Sequence, residues 1–567
     1  MSENWDLEVD YLVAGTGMAG LSAAITAKLN GLDTIVVESQ ATWGGTTSIS
    51  GGGLWVPNNP LEHKDHVQDS PQAAFDYMQS TIGDVGPWTS EARKWAFIHS
   101  IPPYLNMLAD QGVKWSRAKQ YPDYYPDLPT GMVGRSIEPV SFNMRKLGKY
   151  AKLVTPGGIP APVRNDDVWL LSRAWSTPSG FIRGAQFTFR TIGYLLSGQK
   201  PAGMGRALAS NLMYIARNKL KVPIWLSSPL VELIVEDGRV VGAIIDKEGK
   251  TVRVKSRRGV MLAAGGFAHN KEWRLKYQGV PGWSASPMGQ QGTGIAAGEK
   301  AGGALGMMDD AWWGATTANP GDSEQYGFIL NERSDPWSIV IDQLGNRYLN
   351  ESESYVDFGH HLLEHDKKTD GKALPSWLVS DHRHDTHFLS AGLMLPGAKK
   401  KLTEKGEYVE AKTLEELAEK MGVDKETFLA TVERFNGFAR KGVDEDFERG
   451  RTSYDRYYGD PLVKPNPNLG PLEKAPFSAV KMYPGDLGTK GGLVTDQYAR
   501  VLREDNSVIT GLYAAGNNTA SVMGHTYPGP GSSIAPAGVF GYLGALHASQ
   551  QAQNPHHTDE TTIPWGK

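Results

Sequence analysis

The run Tyr11-Leu12-Val13-Ala14-Gly15-Thr16-Gly17-Met18-Ala19-Gly20 leaves the chain little choice in how it begins to fold. Apolar residues lead into G-x-G-x-x-G, a helix-like stretch follows from Leu21 to Leu29, and a second apolar strand, Thr34-Ile35-Val36-Val37, ends at Glu38. That order, strand–turn–helix–strand, binds a dinucleotide. Gly15 permits the tight turn. Gly17 lets the backbone approach a pyrophosphate at the helix N-terminus, where Met18 and Ala19 open the first turn. Gly20 lets the helix pack closely on the strand. Glu38, with Ser39 beside it, is placed to accept hydrogen bonds from a ribose diol. The motif alone does not separate NAD from FAD.

The next stretch favours FAD. Gly44, Gly45, Thr46, Ser48, Ser50, Gly51, Gly52 and Gly53 follow directly on the ribose acid. Side chains this small cannot fill a core, but they let a loop wrap a flat polar group such as the diphosphate and isoalloxazine. Two later strands also end in small residues and glycine, at Ala263-Ala264-Gly265-Gly266 and at Leu512-Tyr513-Ala514-Ala515-Gly516-Asn517. Sheets of the α/β kind bind ligands at such C-terminal strand ends. Val231, opening the apolar run Leu230 to Val235, is read as a further cofactor contact. The last apolar helix starts near Ser533 and Ile534, and its N-terminus can face the flavin pyrimidine and stabilise negative charge there.

Composition excludes several alternatives. The 567-residue chain is long enough for two or more domains, and a net charge of −4 gives no sign of a nucleic-acid partner. There are no cysteines. That removes disulfides, thiolate-held metals, iron–sulfur clusters, cysteinyl flavin and thiol catalysis, and it fits a cytoplasmic protein. The acidic N-terminus runs straight into the first strand, so no secretory leader is expected. No apolar run has the length of a membrane span.

Periodicity assigns helices over 71–112, from Arg206 to Asn218, from Thr413 to Met421 and from Lys425 to Gly442. Pro223–Leu226, Leu230–Val235 and Val240–Ile245 read as antiparallel strands, and Trp337–Asp342 with Gly345–Tyr348 reads as a hairpin. The expected class is α/β: a Rossmann-like FAD-binding domain of the two-dinucleotide-binding-domain flavoprotein type over 1–300 and 488–567, with an inserted α+β catalytic domain over 301–487. The tail from Gln551 reads as poorly ordered. Residues 168–231 carry no Asp or Glu but eight Lys or Arg, interleaved with aromatics such as Trp175, Phe181 and Phe189. Within it, 168–221 fits either an interfacial segment drawn to anionic lipid or a cap packed on the protein with solvated charges.

Taken in order, G-T-G-M-A-G, W-G-G-T-T, Y-P-D-Y-Y-P, A-A-G-G-F, N-E-S-E-S-Y, G-D-L-G-T-K-G-G-L, L-Y-A-A-G-N and H-T-Y-P-G-P-G resemble the 3-ketosteroid Δ1-dehydrogenases, in the fumarate-reductase-like flavoprotein group. The resemblance spans nearly the whole chain, and H-T-Y-P-G-P-G is its most specific part. Fumarate reductases carry a dicarboxylate-binding arginine there, which Gly531-Ser532-Ser533 lacks. The related Δ4-(5α)-dehydrogenases differ in the same segment. The resemblance implies FAD held non-covalently and dehydrogenation of a 3-oxosteroid between C1 and C2, with a hydride passing from C1 to flavin N5 and an external acceptor, a quinone or an electron-transfer protein, taking the electrons. It implies a carbonyl clamp of the Tyr527 hydroxyl and the Gly531 N–H, a tyrosinate-like base at Tyr355 removing the C2 proton, and a supporting tyrosine at Tyr124. Tyr121, Ser50, Trp337 and Pro530 are the expected substrate contacts. No metal is called for. A cytoplasmic enzyme results, with the basic aromatic segment offering peripheral contact with the inner face of the membrane and room for sterones with long side chains.

Overall fold

The computed structural model describes residues 5–175, 177–388, 393 and 396–553; the polar tail lies outside them from residue 554. β1 (Leu7–Ala14) leads through the glycine turn into α1 (Met18–Leu29) and back to β2 (Thr34–Val37), which pairs parallel with β1. Both strands are apolar along most of their length, as strands covered on both faces must be. α1 buries ten residues, mostly Ala, Gly and other small side chains, so it can press close on the sheet and on the last helix.

The helical region read over 71–112 is two helices, α2 (Pro71–Ile82) and α3 (Glu91–Asp110). The basic aromatic segment forms α4 (Pro178–Leu196), and α5 (Met204–Met213) continues as a wider turn over Tyr214–Lys219. A short strand follows, β3 (Ile224–Trp225), and it corrects one expectation. It pairs parallel with β2 at the sheet edge instead of joining the antiparallel run, because Pro223 and Trp225 hand their carbonyls to Val36 and Glu38. β4 (Leu230–Glu236), β5 (Arg239–Lys247) and β6 (Lys250–Leu262) do form the antiparallel set, and the far half of β6 runs on into the main sheet beside β1.

A second sheet, antiparallel throughout, lies within residues 311–489. It is built on β7 (Ala311–Thr317), β8 (Ser338–Ile341), β9 (Ser376–Asp381) and β10 (Phe477–Thr489). The expected hairpin is absent. β8 pairs with β9, while Gly345–Tyr348 turns back on Asp342, whose carboxylate accepts from the N–H groups of Leu344 and Asn346. Arg347 is pulled to Glu351 and Asp444 at 2.7 and 2.6 Å, so no strand can continue there. Around this sheet sit α6 (Tyr355–Lys368), α7 (Leu414–Met421, capped by Thr413), α8 (Lys425–Lys441, ended by Gly442) and α9 (Ser453–Tyr458).

The chain then returns to the first sheet with β11 (Arg500–Leu502) and β12 (Val508–Ala514), the latter parallel to β6. The sheet order is β11-β12-β6-β1-β2-β3, with β5 and β4 joined on through β6. α10 (Ile534–Gln553) closes the layer over α1 at backbone distance: a Cβ on Gly541 would lie 2.4 Å from the Ala19 carbonyl.

Candidate active site

The glycine-rich strand ends converge as expected. Gly15 has φ +116°, and a Cβ there would sit 2.2 Å from the Ala263 carbonyl; one on Gly20 would sit 2.0 Å from that of Gly15. Gly17 differs, since a Cβ would meet only Thr47 Oγ1, at 3.6 Å. The chain thus crowds two glycines and leaves open space before the third, where a pyrophosphate would lie. α1 has no acidic residue in its first turn to oppose an anion. Thr46 Oγ1 and Asn518 Nδ2 are buried without partners among the described residues, and both stand in the segments read as the cofactor cradle or next to it. These features fit a dinucleotide.

Neighbours the sequence did not single out shape that cradle. Thr16 Oγ1 donates to Glu38 at 2.6 Å and accepts from Gly44 N–H at 3.0 Å, tying the ribose acid to both loops. Thr47 Oγ1 accepts from Met18 N–H. Asn518 and Gln290 accept from the N–H groups of Ala264 and Gly266, so those two donors are taken within the protein. Gly516 takes φ +68°, and Asn517 accepts from Trp312 Nε1 at 3.0 Å. Ser39 is exposed beside Glu38, and Ser48 is buried with its hydroxyl on Gly45 O. Val231 is 60 % exposed and stands at the register shift between β4 and β5, which leaves its backbone outside the ladder.

The catalytic candidates form one aromatic cluster. Tyr527 stacks on Tyr124 at 5.2 Å, and Tyr355 lies 4.8 Å from Tyr527 and 5.5 Å, edge-on, from Tyr124. Trp312 closes the far side of Tyr527 at 5.3 Å. Tyr121 joins through its hydroxyl, 3.4 Å from that of Tyr124. The three segments, more than 400 residues apart at the extremes, are stitched by backbone and phenol bonds. Tyr124 N–H and the Tyr77 hydroxyl both donate to Pro528 O, at 2.9 and 2.7 Å, and Ser136 Oγ donates to Pro530 O at 2.8 Å. The Tyr125 hydroxyl donates to Asp357 at 3.1 Å. Beneath the loop, Asp123 accepts from Trp55 Nε1 and pairs with Arg135, which also holds Asp69; all of these ions are buried. Burial, moderated by Arg135, lifts the Asp123 carboxyl to about 6.

Gly531 is constrained from two directions. Its φ is +102°, and a Cβ would lie 2.3 Å from the Gly53 carbonyl. Its own carbonyl accepts from Ile534 and Ala535 at the start of α10, while among the described residues no acceptor engages its N–H. A free N–H and the Tyr527 hydroxyl, whose present partner is Ser533 Oγ at 3.2 Å, are the two donors that an enolate oxygen needs. Burial, and then Tyr527, push the Tyr355 hydroxyl well above the ordinary tyrosine range; the same burial raises Tyr124. Tyr355 therefore rests as a neutral phenol.

One of the expected substrate contacts is placed differently, and another has its hydroxyl taken by its own loop. Trp337 does not reach the cluster. Its ring packs on His387 and Phe388, 5.3 and 5.9 Å away, and fits over Gly470, where a Cβ would lie 2.4 Å from it. Ser50 spends its hydroxyl on Thr47 O and Gly52 N–H, holding its own loop. Sequence reading also overlooked the third wall of the cluster. Tyr454, Tyr457 and Tyr458 of α9 share a helical face: Tyr454 lies 4.4 Å from Tyr124, Tyr457 stacks on Tyr121 at 4.5 Å, and the Tyr458 and Tyr121 hydroxyls meet. Their i, i+3, i+4 spacing was the visible signal. Phe328, edge-on to Tyr355 at 5.3 Å, was overlooked as well.

The chain outside this cluster carries a second feature. α4 turns Arg183 and Arg190 inward to Asp167, at 2.8 and 2.5 Å, and turns its apolar side chains outward: Phe181, Phe189 and Leu196 are 63, 74 and 84 % exposed. No helix among the described residues is long and apolar enough to cross a membrane.

Comparison with known proteins agrees with this geometry. A family model described as an FAD binding domain matches residues 10–534. The chain is 44 % identical to the 3-oxosteroid 1-dehydrogenase of Mycolicibacterium smegmatis, with 96 % of this chain and 98 % of that one aligned. It is 43 % identical to the enzyme of the same name from Mycobacterium tuberculosis, with 96 % and 99 % aligned. Among solved structures, the 3-ketosteroid Δ1-dehydrogenase of Sterolibacterium denitrificans, in complex with 1,4-androstadiene-3,17-dione, superposes with a TM-score of 0.89 at 34 % identity, covering 96 % of this chain and all of that one.

Proposed function

The chain belongs to the 3-oxosteroid 1-dehydrogenase family of FAD-dependent oxidoreductases, and from that premise we propose that it desaturates the C1–C2 bond of 3-oxosteroids at the Tyr124–Tyr355–Tyr527 cluster. One observation carries the assignment of the site. The Tyr527 hydroxyl and the Gly531 N–H, unengaged among the described residues, lie on one turn whose carbonyls are held elsewhere, and Tyr355 packs directly against Tyr527.

The roles follow from that arrangement. The steroid C3 oxygen accepts from Tyr527 and Gly531, which makes the neighbouring C2 proton more acidic and stabilises the enolate as it forms. Tyr355 takes that proton. Its raised pKa makes it a poor base at rest, so Tyr124, edge-on beside it, supports its ionisation, and Tyr121 and Tyr458 extend the line of phenols away from the substrate. The tyrosine-rich walls and Trp312 exclude water from the enolate. The glycine-rich strand ends would hold FAD, which when bound would serve as the two-electron acceptor for the C1 hydride, with a quinone or an electron-transfer protein as the external acceptor. The antiparallel sheet within 311–489 supports reading 301–487 as the substrate domain, set between the two FAD-binding parts 1–300 and 488–567.

The outward apolar face of α4 supports a membrane-docked enzyme, attached peripherally to the inner face, that takes a lipid-dissolved sterone from the bilayer. A cap packed on the protein would have turned Phe189 and Leu196 inward, whereas the arginines occupy that side.

The test is anaerobic. Androst-4-ene-3,17-dione is added to the yellow holoprotein and flavin absorbance is followed. Bleaching, with formation of the 1,4-diene, is expected. Unchanged flavin with this steroid, together with reoxidation of the reduced protein by fumarate, would refute the reading in favour of a fumarate-type reductase.

A further inference from the structure

Behind the Phe328 ring lies a cavity of about 240 Å³ in the substrate domain. Phe328 is the partition. It lines the cavity and also meets Tyr355 edge-on at 5.3 Å. The ring tip rests on Gly314, where a Cβ would lie 2.4 Å away. Gly327, just before it, is uncrowded: a Cβ there would meet only Thr317, at 3.6 Å. The Phe328 ring therefore packs where a Gly314 side chain would stand, and only the small Gly327 precedes it.

The cavity lining has two chemistries. Ile329, Leu378, Leu402 and Val480 make it apolar. Much of the polar lining gathers around Asp385, which accepts from Ser380 and Ser478 at 2.9 and 2.8 Å and faces His384 Nδ1 at 3.4 Å, while the Glu332 carboxylate, also in the lining, accepts from Leu330 N–H. His384 is fixed from its other side, donating through Nε2 to Glu332 O at 2.8 Å. Lys399 is held differently. Its Nζ stands 3.9 Å from Asp385 and 3.9 Å from Glu410, beyond hydrogen-bond range of either, and 5.3 Å above the Tyr408 ring; its side chain is 46 % exposed. Asp385 is thus satisfied by hydrogen bonds without Lys399, and Lys399, held only by loose ion pairs to Asp385 and Glu410, can turn to a guest.

We propose that this cavity is a subsite for the far end of the substrate, and that Lys399 selects 3-oxosteroids whose side chain ends in a carboxylate. The proposal rests on the steroid-dehydrogenase reading above and adds the substrate class. The apolar walls take the side-chain carbons, and Lys399 meets the acid at the rim, where the half-wet site spares both ions full desolvation.

The test compares a 3-oxo-4-ene steroid carrying a short C17 side chain ended by a carboxylate with its methyl ester, which has nearly the same shape and no charge. Both kcat/KM and the dissociation constant, read from the flavin spectrum, are measured. The parent enzyme is expected to favour the acid. Lys399→Gln should lower the acid-to-ester ratio by about fivefold, the scale of a half-exposed ion pair, and Lys399→Arg should restore it. Val480→Phe, which fills the cavity, should weaken acid and ester alike relative to the 17-ketone. An unchanged acid-to-ester ratio in Lys399→Gln overturns the carboxylate role, and equal effects of Val480→Phe on tailed and tailless steroids overturn the subsite. Failure of the enzymatic reading shows as absent flavin bleaching with every steroid, and the binding ratio still decides this proposal.

Discussion

Tyr527→Phe isolates the carbonyl clamp. The Tyr527 ring is 3 % exposed and wedged between Tyr124, Tyr355 and Trp312 at 5.2, 4.8 and 5.3 Å. Phenylalanine keeps all three contacts and fills the same space, so no cavity opens. The bond lost in the resting protein is the one to Ser533 Oγ at 3.2 Å, worth about 1 kcal/mol. In the transition state the loss is larger, because the enolate oxygen keeps Gly531 N–H but loses a phenol donor in a site shielded from water. Removal of one such donor costs about 10²–10³ in rate, or about 2.7–4 kcal/mol. The variant should therefore fold, retain FAD and bind steroid with a similar KM, while the anaerobic flavin-bleaching rate falls by that factor. Stopped-flow mixing with saturating androst-4-ene-3,17-dione, beside a thermal melt, gives both numbers. A bleaching rate within about tenfold of the parent, in a protein that melts normally, would show that the C3 oxygen is not held at Tyr527.

Tyr355 must lose a proton to act, and burial raises its pKa, so its active form is scarce at neutral pH and grows as pH rises. kcat should climb by up to about tenfold per pH unit above neutrality, a slope absent from the residual rate of Tyr355→Phe; a flat parent profile refutes the assignment. Gly20→Ala forces a Cβ to within 2.0 Å of the Gly15 carbonyl, and the protein should purify with little FAD, read as flavin absorbance relative to protein. Arg135→Met strands Asp69 and Asp123 in the interior and should cost about 3–5 kcal/mol in urea unfolding. Replacing Phe189 and Leu196 of α4 together by Glu should reduce co-sedimentation with anionic vesicles by more than about tenfold while leaving androstenedione turnover in solution intact.

The parts of this fold that were legible beforehand are those where a backbone constraint acts alone. Gly15 and Gly20 are glycines because a carbonyl occupies the place of their side chains, and that requirement shows in any sequence that makes this turn. α7 and α8 were readable to within a residue because Thr413, Gly422, Asp424 and Gly442 act on their own helices. Tyr124, Tyr355 and Tyr527 were found through family motifs, not through physics, since nothing local in three distant segments says that they meet. For the same reason α9 went unnoticed: its three tyrosines sat at helical spacing, but which surface they would cover depends on a fold-back of more than 300 residues. Trp337 failed in the opposite way. A tryptophan beside a strand serves equally well as wall or filler, and Gly470, which decides the matter, lies 133 residues on. The expected hairpin failed because the Asp342 carboxylate and Arg347 outweighed the alternation of the segment.

The stitching of the Tyr527–Gly531 turn bears on how the enzyme is made. Its carbonyls are received by Tyr77, Tyr124 and Ser136, all synthesised hundreds of residues earlier, and β12 must already lie against β6. A ribosome that has reached residue 510 has made Tyr121, Tyr124 and Tyr355 but neither Gly516 of the cradle nor the Tyr527–Gly531 turn. On the proposed function, chains cut short before residue 527 lack the carbonyl clamp and are expected to show no steroid turnover, however well the rest folds.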